Sequence, residues 1–153
     1  MCVILFLKKK EIEKAMKKSR EIYVQLLYVL ENSKTLTDDS IGIFMTLFEV
    51  SKKNMLIYKQ HAEHIFECRN EFDSLLSKIS TEYSLDRISK VDLAILRVIL
   101  FDLKEKDLPV EVAVAEAIRI ANKFSSYGSG KYLHAMIDSI YKEMKYEKQA
   151  ALQ

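Results

Sequence analysis

The stretch SKVDLAILRVILFDLKEKDLP, residues 89–109, carries its own start and stop signals. Ser89, followed three residues later by Asp92, has the form of a capping box, in which a side-chain oxygen takes up an orphan amide of a first helical turn. The apolar run from Val91 to Leu103 then reads as a helix. It should stop near Lys104–Lys106, where cations suit the negative end of the helix dipole. Asp107-Leu108-Pro109 opens the next helix, because proline is tolerated in a first turn that has no use for its missing amide proton. The inner stripe of that helix is Val110, Val114, Ala117, Ile118, Ala121 and Phe124. Arg97 is the odd residue, since most of its neighbours should be buried. A carboxylate is expected to neutralise it, with Glu116 on the next helix as the candidate.

Outward from this block the same period recurs. Ile12, Met16, Tyr23, Leu26, Leu27 and Leu30 repeat at three- and four-residue steps, predicting a helix over 10–31 with lysines on its other faces. NSKTLTDDS (32–40) is turn chemistry, with Thr37 or Asp38 able to cap the next helix. IGIFMTLFEV (41–50) reads as helix because Ile41, Phe44, Met45 and Phe48 share a face and no hairpin turn flanks the run. One long helix is expected over 54–81, with Leu56, Ile65, Phe72, Leu75, Leu76 and Ile79 inward. A last helix carries Leu133, Met136, Ile137, Ile140, Tyr141 and Met144. The expected fold is therefore all-α, a compact bundle of about six to seven helices in a single domain over 1–153.

Composition agrees. A chain of 153 residues that is 49% hydrophobic and 30% charged, with one proline, has nothing of a disordered segment. The net charge of +2 hides an asymmetry. Lys8, Lys9, Lys10, Lys14, Lys17, Lys18 and Arg20 against Glu11 and Glu13 leave an excess of five positive charges, so the rest of the chain is mildly acidic. A basic arm on an acidic body suits a polyanion. Lys10, Lys14, Lys17 and Lys18 extend along one side of the helix, as a phosphate backbone requires. Cys2 and Cys68 form no disulfide framework, which points to a reducing cytoplasm. The opening CVILFL is too short for a secretory signal and its lysines come after it; residues 1–7 are expected to be flexible. No run is long and apolar enough to span a membrane.

Two motifs suggest chemistry and fail on spacing. GSGK (128–131) resembles part of a phosphate loop, but the position five before Gly130 is Ser125, and Tyr132 replaces the small hydroxyl that would hold magnesium. The segment reads instead as a junction between helices, with Gly128 permitting the turn and Ser129 capping the last helix. Lys131 and Tyr132 then stand in a first turn, a cation and a ring suited to RNA phosphate and base. His61, His64 and Cys68 share a helix face, yet lack the second ligand pair of a zinc site, and no nucleophile–histidine–carboxylate set can be assembled. No catalytic residue, metal or cofactor is expected.

SREIYVQLLY (19–28), KVDLAILRVILFDL (90–103) with DLPVEVAVAEAIRIANKF (107–124), and SSYGSGKYLHAMID (125–138) together resemble the NusB family of bacterial transcription antitermination factors, in order and in spacing. The resemblance covers about residues 8–145. It implies an all-helical, non-catalytic protein that pairs with the small-subunit ribosomal protein acting as NusE. The pair would grip boxA-type RNA in nascent ribosomal transcripts, with other Nus factors and RNA polymerase as indirect partners. Carried onto this sequence, Lys8, Lys9, Lys10, Lys14, Lys17, Lys18 and Arg20 take RNA phosphates, and Lys131 with Tyr132 meets the RNA at the last helix. Tyr28, Asp86 and Asp92 face the basic ribosomal protein.

Some positions depart from the family pattern. Ala115 replaces an asparagine, Gly128 an aspartate, Gly130 a histidine, and His134-Ala135 an asparagine-glycine pair. The arm uses lysines where arginines are usual, giving point charges without a bidentate grip. These changes bear on RNA and partner contacts, not on the fold. Two rival readings remain: the helical N-terminal part of an RNA cytosine methyltransferase, and a helical scaffold that binds only protein.

Overall fold

The described chain is built of seven α-helices: α1 (Cys2–Ser33), α2 (Asp38–Phe48), α3 (Lys52–Glu67), α4 (Arg69–Ile79), α5 (Lys90–Glu105), α6 (Val110–Phe124) and α7 (Ser129–Ala151). One turn of 3-10 helix, Leu85–Arg87, precedes α5, and no strand occurs among the described residues. The structure, a computed structural model, describes the backbone of residues 2–80 and 84–153, and within those ranges the side chains from Leu7 onward. The expected flexible start falls largely on residues outside the described side chains. The chain divides into two compact units, Met1–Glu63 and His64–Gln153, with the boundary inside α3.

In the second unit α5 is the central helix. Ser89 caps it as its sequence requires, its Oγ accepting the Asp92 N–H at 3.0 Å. Every residue from Asp92 to Leu103 is buried, as expected of a helix apolar on all sides and surrounded by others. α4, α6 and α7 pack on it, and α6 packs along α7. α6 begins after Pro109 and buries Ala113, Glu116, Ala117, Ile120 and Ala121. The expected stripe holds for Ala117 and Ala121, whereas Val110, Val114, Ile118 and Phe124 are only half-buried. α7 buries Leu133, Met136, Ile137 and Ile140 as its spacing predicts, while Tyr141 and Met144 of the same stripe are half-buried.

Arg97 is paired with a carboxylate, as expected, and Asp73 on α4 is one that the sequence did not single out. The Arg97 Nε and Nη2 donate to Oδ1 and Oδ2 of Asp73, at 3.1 and 2.8 Å. Glu116, the candidate read from sequence, makes a two-pronged pair with Arg119 on its own helix. Sequence spacing favours partners on neighbouring elements, and only the packing of α4 against α5 brings Asp73 into reach.

The helix expected over 54–81 is broken at Cys68. Its carbonyl accepts the N–H groups of both Glu71 and Phe72, at 3.1 and 3.4 Å, and α4 starts afresh. No glycine or proline marks the break, so the apolar period runs through it. Residue 81 lies outside the described residues. Leu56, expected inward, is exposed, and its neighbour Met55 is buried instead.

In the first unit, Thr37 caps α2 by accepting the Ser40 N–H at 3.2 Å. Ile41 and Phe44 are its buried residues, and the Phe44 and Phe48 rings stack at 6.1 Å. α1 has two halves. From Arg20 onward most positions are buried, including Ile22, Tyr23, Val24, Leu26, Leu27 and Leu30. Ile12 and Met16 carry the same period but are exposed, so the buried face of α1 begins later than the apolar pattern does.

Candidate nucleic-acid interface

The first candidate surface lies on α1. Lys8, Lys9, Lys10, Lys14, Lys17 and Lys18 are all exposed, and the helical period places Lys10, Lys14, Lys17 and Lys18 along one face over about 12 Å. Lys8, Lys9, Lys14 and Lys18 make no ion pair among the described residues. Arg20 differs. It is 6% exposed, at the point where α1 becomes buried, and so stands apart from the exposed lysines of the arm. A basic residue in a run of basic residues looks like the others until the buried face of the helix is known.

The second is the junction between α6 and α7. The Ser125 N–H closes α6 on the carbonyl of Ala121 at 2.8 Å. Ser126 and Ser129 are then joined across a tight turn, with the Ser129 N–H donating to the Ser126 carbonyl at 3.2 Å. Gly128 sits at φ 93° and ψ −17°, close to the third position of a type II turn, where residues with a Cβ are strained. Gly130 has no such need: a Cβ there would meet Ile118 at an ordinary 3.6 Å.

Asp92 ties this turn to α5. Its Oδ1 accepts the Ser125 hydroxyl at 2.6 Å and its Oδ2 accepts the Ser129 hydroxyl at 3.1 Å. The Ser129 oxygen also lies 3.0 Å from that of Ser125 and 3.1 Å from that of Ser126. Two expectations change. Ser129 is the first residue of α7 and not its cap, which is Gly128. Asp92 is 6% exposed, and its carboxylate serves the turn instead of reaching back in a capping box. Replacing Asp92 by alanine removes the charged acceptor of two hydroxyls and should cost about 1–3 kcal/mol. Thermal unfolding should show it as a midpoint lowered by several degrees.

Lys131 is exposed in the first turn of α7 and makes no ion pair among the described residues. Tyr132 is half-buried, with its hydroxyl oxygen withdrawn from solvent. Further along α7, His134 lies 3.3 Å from Asp138. Sequence reading passed over Tyr127, which the structure leaves fully exposed at the corner of the turn. Its position beside Gly128 was the available signal, because turn corners point outward.

Of the expected partner-facing residues, Tyr28 is exposed in the first unit and Asp86 is exposed on the 3-10 turn of the second. The two histidines are packing rings: His61 lies 4.7 Å from the Tyr23 ring, and His64 meets Phe101 edge-on at 5.7 Å. No group of three or more His, Cys, Asp or Glu that could hold a metal ion occurs among the described residues. No described helix is long and apolar enough to cross a membrane.

Comparison with known proteins adds a lineage. The profile of the NusB family matches residues 17–142, running through both units. The transcription antitermination protein NusB of Clostridium perfringens (strain SM101 / Type A) is 34% identical over 131 residues, covering 84% of this chain and 97% of that protein. NusB of Acetivibrio thermocellus is 30% identical over 125 residues, covering 81% of this chain and 86% of that protein. The solved structure of T. maritima NusB superposes with a TM-score of 0.67 at 29% identity, covering 83% of this chain and 90% of that one. On this profile match and these relatives, the chain belongs to the NusB family of transcription antitermination proteins.

Proposed function

We propose that this protein is a non-catalytic antitermination factor of the cytoplasm, acting as one module across both units. It binds boxA-type RNA together with the small-subunit ribosomal protein that serves as NusE, and through that complex reaches other Nus factors and RNA polymerase. The observation that carries the reading is the run of six exposed lysines on the first half of α1. Clustered ammonium groups neutralise phosphates and release counterions, whatever the base sequence. Lys131 supplies a further cation, and Tyr132 an aromatic edge beside it. Arg20, being buried, positions the arm and leaves phosphate contact to the lysines. Tyr28 and Asp86 are the exposed groups offered to the ribosomal protein, and Asp92 contributes by holding the junction in shape. A positive arm for RNA and a mildly acidic body for a basic protein give each partner a complementary face.

The test is binding of a short boxA-type RNA, with and without the ribosomal protein, at several salt concentrations. Weak binding alone, tighter binding with the partner and a steep loss as salt rises are expected. A partner that binds while RNA does not, at any salt, would instead favour a protein-only scaffold.

A further inference from the structure

We propose that Tyr127 is the stacking residue of the α6–α7 junction: its ring takes an unpaired RNA base while Lys131, four residues on in the first turn of α7, takes a neighbouring phosphate. This rests on the RNA-binding reading above and names a contact within it.

Tyr127 has a relative exposure of 108%, the highest of any large apolar side chain among the described residues. Its backbone is nonetheless held. The turn closes from Ser129 to Ser126 immediately around it, and three serine hydroxyls with the Asp92 carboxylate fix that turn to α5. A ring with a fixed base and both faces in water loses little freedom on stacking and gains the burial of an aromatic face.

The surroundings select the ligand. From residue 117 to residue 137 the sequence contains no aspartate or glutamate, while Lys123 stands four residues before Tyr127 and Lys131 four after it. Asp92, the carboxylate that the turn's serines bind, is 6% exposed and engaged by their hydroxyls. Aromatic rings interleaved with cations are the usual platform for single-stranded nucleic acid, since every base has a face to stack and every nucleotide a phosphate. Tyr132, with its hydroxyl inside, has less ring to offer.

The chain has no tryptophan, so Tyr127→Trp installs a single reporter at this corner. Its emission should be quenched as boxA-type RNA is added, with affinity close to that of the unmodified protein. Tyr127→Ala should weaken RNA binding roughly 5- to 100-fold, and Tyr127→Phe by less than about 2-fold, because the face of the ring and not its hydroxyl makes the contact. Tyr146→Ala, which removes another exposed tyrosine near the far end of α7, should leave affinity unchanged. Circular dichroism should show the same helix content throughout. Salt-dependent RNA binding that Tyr127→Ala leaves intact would overturn the stacking role while sparing the functional reading. Equal losses for alanine and phenylalanine would overturn it too, by making the hydroxyl the contact. Absence of RNA binding by the unmodified protein, alone and with its partner, would remove both.

Discussion

Replacing Asp73 by alanine should lower the folding free energy by about 3 kcal/mol, a large loss for one exchange outside the apolar core. Arg97 stands on the central helix α5 with 3% of its side chain exposed, and a guanidinium cannot discharge itself by losing a proton. Asp73 meets it with both oxygens, at 3.1 and 2.8 Å. Removing Asp73 takes from the buried guanidinium the carboxylate that meets two of its N–H groups, and breaking a buried pair costs more than the pair itself contributed. The lower end of the usual range applies, because Asp73 keeps 24% of its side chain in contact with solvent. Denaturant unfolding should show a reduced midpoint with an unchanged slope. Asp73→Asn should fall between the unmodified protein and the alanine variant, keeping shape and one of the two hydrogen bonds but not charge. Exchanging both partners for apolar residues of similar size should recover much of the loss. A loss below about 1 kcal/mol for Asp73→Ala would mean that the pair behaves like an exposed ion pair.

That pair also marks where sequence reading reached and where it ended. The need for a carboxylate near Arg97 came from the residues around it, since a charge inside an apolar helix has few ways to exist. The identity of the carboxylate did not, because Asp73 approaches from a helix 24 residues earlier. Two caps were legible for the same reason that the partner was not: Thr37 and Ser89 act on amides three residues away, whereas Ser129 binds the turn and Gly128 caps α7. The break at Cys68 left no trace in the apolar period, and a one-residue interruption without glycine or proline has none to leave.

The candidate surfaces divide similarly. Charge was visible in the sequence, and the six lysines of α1 are exposed as their polarity requires. Arg20 could not be separated from them, because burial is decided by what packs against a helix. At the junction, the need for a glycine at the turn was legible, but the role of Asp92 was hidden. It sits 33 and 37 residues from the serines it binds. The same network that makes Asp92 structural gives Tyr127 its fixed place, and both follow from α5 lying beside the turn.

Exchanging Lys14, Lys17 and Lys18 together for glutamine should reduce RNA affinity about 100-fold near 0.1 M salt. Each phosphate neutralised on a single strand contributes a slope of roughly 0.7 in log affinity against log salt. Three such contacts amount to about two logarithmic units at 0.1 M, or roughly 2.7 kcal/mol. The plot for the triple variant should accordingly be flatter by about two, and the two proteins should converge as salt approaches molar. Glutamine has a helix propensity close to that of lysine, so α1 should keep its helix content and the effect should belong to charge. The three positions are exposed, and none lies in the buried half of α1, which begins at Arg20. Parallel salt plots, with the same loss at every concentration, would mean that the lysines act by shape and not by releasing counterions. Coincident plots would mean that RNA never meets this face of α1, and the lysines would then be solvated charge without a role in binding.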